Sequence, residues 1–288
     1  MRTGAAYSLL LLTAISCARS HRLTIGSKNF TEQIILGEII AQQVERRLGE
    51  PVDRKLDLGG TLLAQQALRT GEIDLYPEYS GTALTAVLKL PPSTDAAVVF
   101  DRARNEYRKR WNIEWMAPLG FDNTFAMVVR GADARSENIE TLSDAARRRQ
   151  GWRLGVGYEF LQRPDGLAGL IATYHLPLDG TPKSMDLGLL YSALGQKQVD
   201  MAAGSATDGM LSVLDVRVLR DDRHYFPPYQ AAVVVRGESL SAHPGLRAAL
   251  DSLSGKLTDS TMRGLNYQVD GKHLAVRDVA RQWLASVR

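Results

Sequence analysis

The chain has 288 residues, 44% of them hydrophobic and 23% charged, and a formal net charge of +3 at pH 7. That size and balance exclude intrinsic disorder and accommodate two lobes of ordinary domain size. Lys and Arg are spread among acids rather than gathered into a stripe interleaved with aromatic residues, so nucleic acid is not an expected partner.

The first twenty residues stand apart. Met1-Arg2 is charged, residues 9–15 are apolar, and Ala14-Ile15-Ser16-Cys17 closes on small residues, the pattern of a secretory signal whose core is too short to span a bilayer. Cys17 is the sole cysteine, so it has no disulfide partner, and it stands where a bacterial lipoprotein box places its acylated residue. A lipid tether at Cys17 is therefore expected.

Residues 23–25 then read as a strand, Gly26-Ser27-Lys28-Asn29-Phe30-Thr31-Glu32-Gln33 as a tight turn and helix start, and Thr31–Leu48 as an amphipathic helix buried on one side. A strand end meeting the free N–H groups of a helix start suits the negative end of a small ligand, and Lys28 adds a positive charge. A solvated turn lysine would account for the same spacing. Strands at 52–58 and 73–76 with a helix at 61–69 continue the alternation, which predicts an α/β fold with mainly parallel sheets. Pro91-Pro92-Ser93-Thr94 breaks the pattern ahead of a charged helix at 95–110.

A strand at 125–129 follows, then a polar stretch to Ser143, a helix running into Arg147-Arg148-Arg149 and a strand at 153–157. The arginine run reads as a helix end favoured by the dipole. Helices at 166–174 and 187–195 come next, with strands at 199–202 and 216–219. Phe226-Pro227-Pro228-Tyr229 introduces the strand 231–235, and helices at 244–254, 258–268 and 274–287 finish the chain. One late strand followed only by helices reads as a return to the first lobe. The expected division is 22–122 with 222–288 as lobe I and 123–221 as lobe II, with a ligand-sized cleft between them.

The five histidines, His21, His175, His224, His243 and His273, lack metal-ligand spacing. The sequence carries no nucleophile elbow or phosphate loop, and no acid/base couple is marked out. Neither enzymatic activity nor a metal or other cofactor is expected. What stands out is a set of aromatic and polar segments at strand ends: Tyr79 with Thr82, Arg163 in the segment 159–166, and Tyr229 after two prolines. Singly they read as packing tyrosines and a surface ion-pair arginine. Jointly they outline a cleft for a small zwitterion, its carboxylate held by Lys28, Thr82 and Arg163. Its quaternary ammonium would lie over tyrosine faces, at about 0.5–2 kcal/mol per contact.

Gly26-Ser27-Lys28 with Phe30-Thr31-Glu32-Gln33, Gly59-Gly60-Thr61, Tyr79-Ser80-Gly81-Thr82, Arg163-Pro164-Asp165-Gly166, Pro227-Pro228-Tyr229, and Thr261-Met262-Arg263 with Leu265-Asn266-Tyr267 carry a family likeness. From residue 23 to its carboxyl terminus the chain resembles the substrate-binding proteins of osmoprotectant ABC importers, which handle glycine betaine, choline, carnitine and related quaternary amines. The resemblance implies a type II periplasmic-binding fold: two α/β lobes, mixed sheets flanked by helices, and two interlobe crossovers. It also implies docking on a membrane permease driven by an ATPase.

By position, Lys28, Thr82 and Arg163 match the family's carboxylate ligands, and Tyr79 and Tyr229 match two of its four cage tyrosines. The other two cage positions depart: Phe125 keeps a ring without the hydroxyl, and Ser205 removes the ring, while a nearby acid position is Asn123. Trp152 or another ring could refill the space. The ligand is then either a simple trimethylammonium compound held by fewer rings, or a bulkier or more polar one such as carnitine or a histidine-derived betaine. The implied function is that of a lipid-anchored extracytoplasmic solute-binding subunit, with a sensing module that presents a zwitterion to a membrane receptor as the alternative. Closure would bend the chain near 121–125 and 219–229, and Arg163→Ala is expected to abolish the closed form with the fold intact.

Overall fold

The computed structural model describes residues 22–287. The expected signal sequence and Cys17 lie outside the described residues. In chain order the strands are β1 (Thr24–Gly26), β2 (Asp53–Lys55), β3 (Leu75–Tyr79), β4 (Ile113–Trp115), β5 (Phe125–Arg130), β6 (Leu154–Val156), β7 (Lys183–Ser184), β8 (Met201–Ser205), β9 (Val216–Val218) and β10 (Ala231–Arg236). They form two five-stranded sheets, ordered β2-β1-β3-β10-β4 and β7-β6-β8-β5-β9. The late strand β10 thus sits inside the first sheet.

Both sheets are mixed, which corrects the mainly parallel arrangement read from the alternation. β1 runs parallel to β2 and β3, and β6 parallel to β7 and β8. β10 is antiparallel to β3 and β4, and β5 is antiparallel to β8 and β9. The reason is directional. β5 and β10 are the strands that the chain enters straight from a crossover, so each starts at the edge where its neighbours β8 and β3 finish. The carboxyl ends of β1, β3, β6 and β8 therefore border the space between the sheets, where ligands of open α/β folds bind.

The helix Thr31–Leu48 forms over the residues expected of it, but eleven of its eighteen residues are buried, among them Glu32, Gln33, Glu38 and Gln43. The one-sided burial read from its periodicity is wrong. This helix packs under the sheet and also against Leu246–Asp251, Asp259–Asp270 and Val276–Ser286, so polar positions are covered by the returning helices. Glu38 is satisfied there by the Arg54 guanidinium at 2.8 Å. The polar stretch before Ser143 contains the helix Gly131–Glu137, and β4 and β7 were unread because two or three residues carry no alternation signal.

The helix Leu142–Ala146 stops short of the arginine run and starts with a capping box between Thr141 and Asp144. Arg148 pairs with Glu137 at 2.9 Å and lies 4.1 Å over the Trp152 ring. Trp152 is 1% exposed and donates its indole N–H to the Ala145 carbonyl. It is a core residue of the second sheet's lobe, satisfied within it.

The two crossovers run side by side. Asp122 and Gln230 form an antiparallel bridge, Asn123 N–H donates to Tyr229 O at 3.1 Å, and Ala231 N–H donates to Phe121 O at 3.2 Å. Gly120 enters this region at φ +116°, and a Cβ there would lie 2.4 Å from Leu257 O and 2.9 Å from Gly255 Cα. Both neighbours are backbone and cannot swing aside. Gly120→Ala is expected to cost about 1–3 kcal/mol, read as a lowered midpoint in thermal unfolding. Gly180→Ala, at φ +75° in open space, should cost visibly less; equal losses would show that the close approach does not matter.

Candidate functional site

At the end of β1 the chain turns into the helix Thr31–Leu48, and this turn places Lys28 inside the protein at 2% exposure. Its Nζ is 2.5 Å from Glu78 Oε1 and 5.1 Å from the centre of the Tyr79 ring. Glu78 is fully buried and also accepts from the Tyr76 hydroxyl at 2.8 Å. The lysine is thus neither the solvated turn residue nor a bare cation: a desolvated carboxylate matches its charge. Among the described residues no hydrogen bond joins Lys28 to Thr82, and Lys28 and Arg163, both donors only, cannot bond to each other directly.

Thr82 and Arg163 do meet. Arg163 Nη1 donates to Thr82 Oγ1 at 3.0 Å, across from the second sheet's lobe to the first. The guanidinium is also held by both oxygens of Asp165, at 3.0 and 2.6 Å, a fork-to-fork pair. Burial works against the arginine's charge, but Asp165 outweighs it and keeps the group protonated. Burial alone would raise Asp165, and Arg163 instead holds it below the usual carboxylate range. The Tyr229 hydroxyl donates to the same acid at 2.6 Å.

The guanidinium carbon sits 5.0 Å from the centre of Phe125 and 5.6 Å from that of Tyr229, within cation–π range. Phe125 itself packs at 4.9 Å against Phe160, 5.7 Å against Phe226 and 5.6 Å against Tyr229. The rings gathered around Phe125 therefore include Phe160 and Phe226, which sequence reasoning did not name. Ser205 pairs directly with Phe125 across β8 and β5, and its N–H donates to Asp208 Oδ2 at 2.7 Å.

Tyr79 and Asn123 are joined through a residue the sequence reading took for a helix start. Glu32 is 3% exposed. Its Oε1 accepts from the Tyr79 hydroxyl at 2.6 Å and from Asn123 Nδ2 at 2.7 Å. Its Oε2 accepts from the Thr207 hydroxyl and from Asn266 Nδ2 at 3.1 Å. Four donors from the first sheet, a crossover, the turn after β8 and a late helix thus converge on one carboxylate. Desolvation pushes its pKa from 4.5 up to about 7, against the lowering by those hydrogen bonds. An acid in a first helical turn is ordinary dipole chemistry, which hid this role. Asp165, two residues after Arg163, was the one missed partner with a visible signal.

A further tie crosses between the sheets' lobes. Glu159 accepts from Thr61 N–H at 2.5 Å and from the Thr61 hydroxyl at 3.1 Å, supplying from outside the cap that the helix Thr61–Thr70 lacks, since its N-cap is Gly60. A Cβ at Gly60 would sit 2.7 Å from the Glu159 carboxylate, close enough to displace that side chain from Thr61. Among the described residues no cluster of His, Cys, Asp and Glu has the grouping a metal ion needs, and no helix is long and apolar enough to cross a membrane.

Two α/β lobes, linked by paired crossovers and lined by a guanidinium, hydroxyls and aromatic faces at strand ends, define the solute-binding class of protein. Residues 21–286 match the family described as the substrate binding domain of ABC-type glycine betaine transport systems, and the chain belongs to it. The family is one of solute-binding proteins, not enzymes. The chain is 35% identical over 283 residues to the glycine-betaine-binding protein of Pseudomonas aeruginosa, covering 95% of itself and 90% of that protein. It is 34% identical over 278 residues to the ergothioneine transport permease/ergothioneine binding protein of Helicobacter pylori, covering 96% of itself and half of that longer chain. A crystal structure of a glycine betaine/carnitine/choline ABC transporter superposes with a TM-score of 0.76 at 31% identity, over 92% of this chain and 98% of that one.

Proposed function

We propose that this chain is the extracytoplasmic solute-binding subunit of an ABC importer and that it captures a quaternary-amine zwitterion between its lobes. In this reading residues 22–122 and 222–288 form one lobe and 123–221 the other. Arg163 and Thr82 take the ligand carboxylate. Phe125, Tyr229 and Tyr79 offer their faces to the ammonium, with Lys28 acting from beside Tyr79 and Asn123 and Ser205 bordering the ammonium end. The observation that carries the reading is Arg163, whose one guanidinium lies against the Phe125 ring of its own lobe and against the Tyr229 ring and Thr82 hydroxyl of the opposite one. A ligand bonded there bridges both lobes and stabilises their closed arrangement.

The names of the relatives support the substrate class, and the Helicobacter relative, named as both permease and binding protein, supports a permease as partner. The ATPase that drives import and a lipid tether through Cys17 belong to the same proposal. Calorimetric titration with glycine betaine, carnitine, choline and ergothioneine tests it. Saturable binding of at least one carboxylate-bearing betaine is expected, about tenfold or more tighter than choline, which offers Arg163 no carboxylate. Silence towards all four would show the substrate class to be wrong.

A further inference from the structure

The two ring positions at which this chain departs from a full cage face each other. Ser205 stands opposite Phe125 in the β5–β8 pairing, and Ala206 N–H donates to Thr124 O at 2.9 Å, which carries the pairing past the strand. Asn123 is two residues before Phe125, and extended chain places such residues on one side. The asparagine amide is oriented by chemistry. The ionised carboxylate of Glu32 only accepts, so in that state the amide nitrogen of Asn123 faces Glu32 Oε1, 2.7 Å away. The carbonyl oxygen is turned to the other side of the amide, where it is buried and has no hydrogen-bond partner among the described residues.

An acceptor left buried and unpaired is costly, and a ligand that supplies a donor recovers that cost. A fully methylated ammonium and a carboxylate supply none. We propose that Asn123, held in this orientation by Glu32, is a specificity-determining acceptor that selects a quaternary-ammonium zwitterion bearing an O–H or N–H donor. The inference rests on the function proposed above and narrows it. Ser205 provides the room for such a substituent, because the side chain opposite Phe125 is small where a ring would close the space. Glycine betaine has no donor; carnitine has a hydroxyl, and ergothioneine has ring N–H groups.

The decisive comparison is carnitine against γ-butyrobetaine, the same molecule without its hydroxyl, titrated calorimetrically at pH 8, where Glu32 is ionised. Carnitine is expected to bind about tenfold more tightly, and Asn123→Ala to bring the two within about twofold by loosening carnitine. Glu32→Gln should narrow the ratio too, since an amide at that place can donate to Asn123 Oδ1 and release its orientation. If ergothioneine alone binds, the Asn123→Ala variant should lose about tenfold for it. Equal affinity for carnitine and γ-butyrobetaine, preference for glycine betaine, or ergothioneine binding unaltered in a folded Asn123→Ala protein would overturn the inference and leave the proposed function standing. Silence of the wild type towards all four ligands would overturn both. The wild-type ratio needs no variant, so a misfolded substitution does not shelter the inference.

Discussion

Arg163→Ala is expected to lose ligand binding by more than about a hundredfold and to weaken the ligand-free fold as well. The arginine's exposure is 9% and Asp165 has only 2% of its side chain exposed, so deleting one partner strands a buried charge. Breaking such a pair typically costs about 3–5 kcal/mol. The expectation that this substitution leaves the fold intact is thereby revised: the residue is part of the lobe's interior as well as of the cleft. The double variant Arg163→Ala with Asp165→Asn separates the two roles. It should recover most of the stability in urea unfolding, because an amide can still accept from the Tyr229 hydroxyl, and it should recover none of the binding. Undiminished affinity in either variant would remove Arg163 from the site.

The second large effect is a dependence of stability on pH that runs opposite to ordinary acid denaturation. Burial raises Glu32 from 4.5 to about 7 and Asp208 from 3.8 to about 6. Across that interval the folded protein retains protons that the unfolded chain has released. Stability is therefore full below the unfolded values and falls as pH rises through the folded ones. For Glu32 alone the loss is about 3 kcal/mol. On the acid side Asp165 and Asp200 have folded values below their ordinary ones, so their contribution is present above about pH 4 and disappears as pH falls further. Denaturant unfolding from pH 3 to 8 should show greatest stability near pH 4–5, and Glu32→Gln should flatten the decline towards pH 8. A profile that rises steadily to pH 8 would show that these acids are not held protonated by the fold.

Helices long enough to show a period were legible in the chain: Thr31–Leu48 formed as read, and Ala96–Trp111 differs from its expected span by one residue at each end. The return of the late strand to the first sheet was legible from element order. Strand direction was not, because alternation of strands and helices is blind to which edge of a sheet a crossover reaches. Of the proposed site, Tyr79, Thr82, Arg163 and Tyr229 were singled out by residue type at strand ends. Glu78 and Glu32 were not, since their roles arise from burial beside a cation or under converging donors, and burial of an acid leaves no periodic trace. The same blindness made Lys28 read as a free charge.

The segments 121–123 and 229–231, paired to one another, make a two-stranded ribbon rather than two independent tethers. A ribbon of that kind flexes across its thickness more readily than its strands slide along one another. Asn123 and Tyr229 are rungs of it and Phe125 begins the strand it feeds, so in the proposed closure whatever presses on those side chains also loads this ribbon. Grip and motion are thus one mechanical event, and a solute that fills the space without loading the ribbon would be held yet fail to bring the two halves into register.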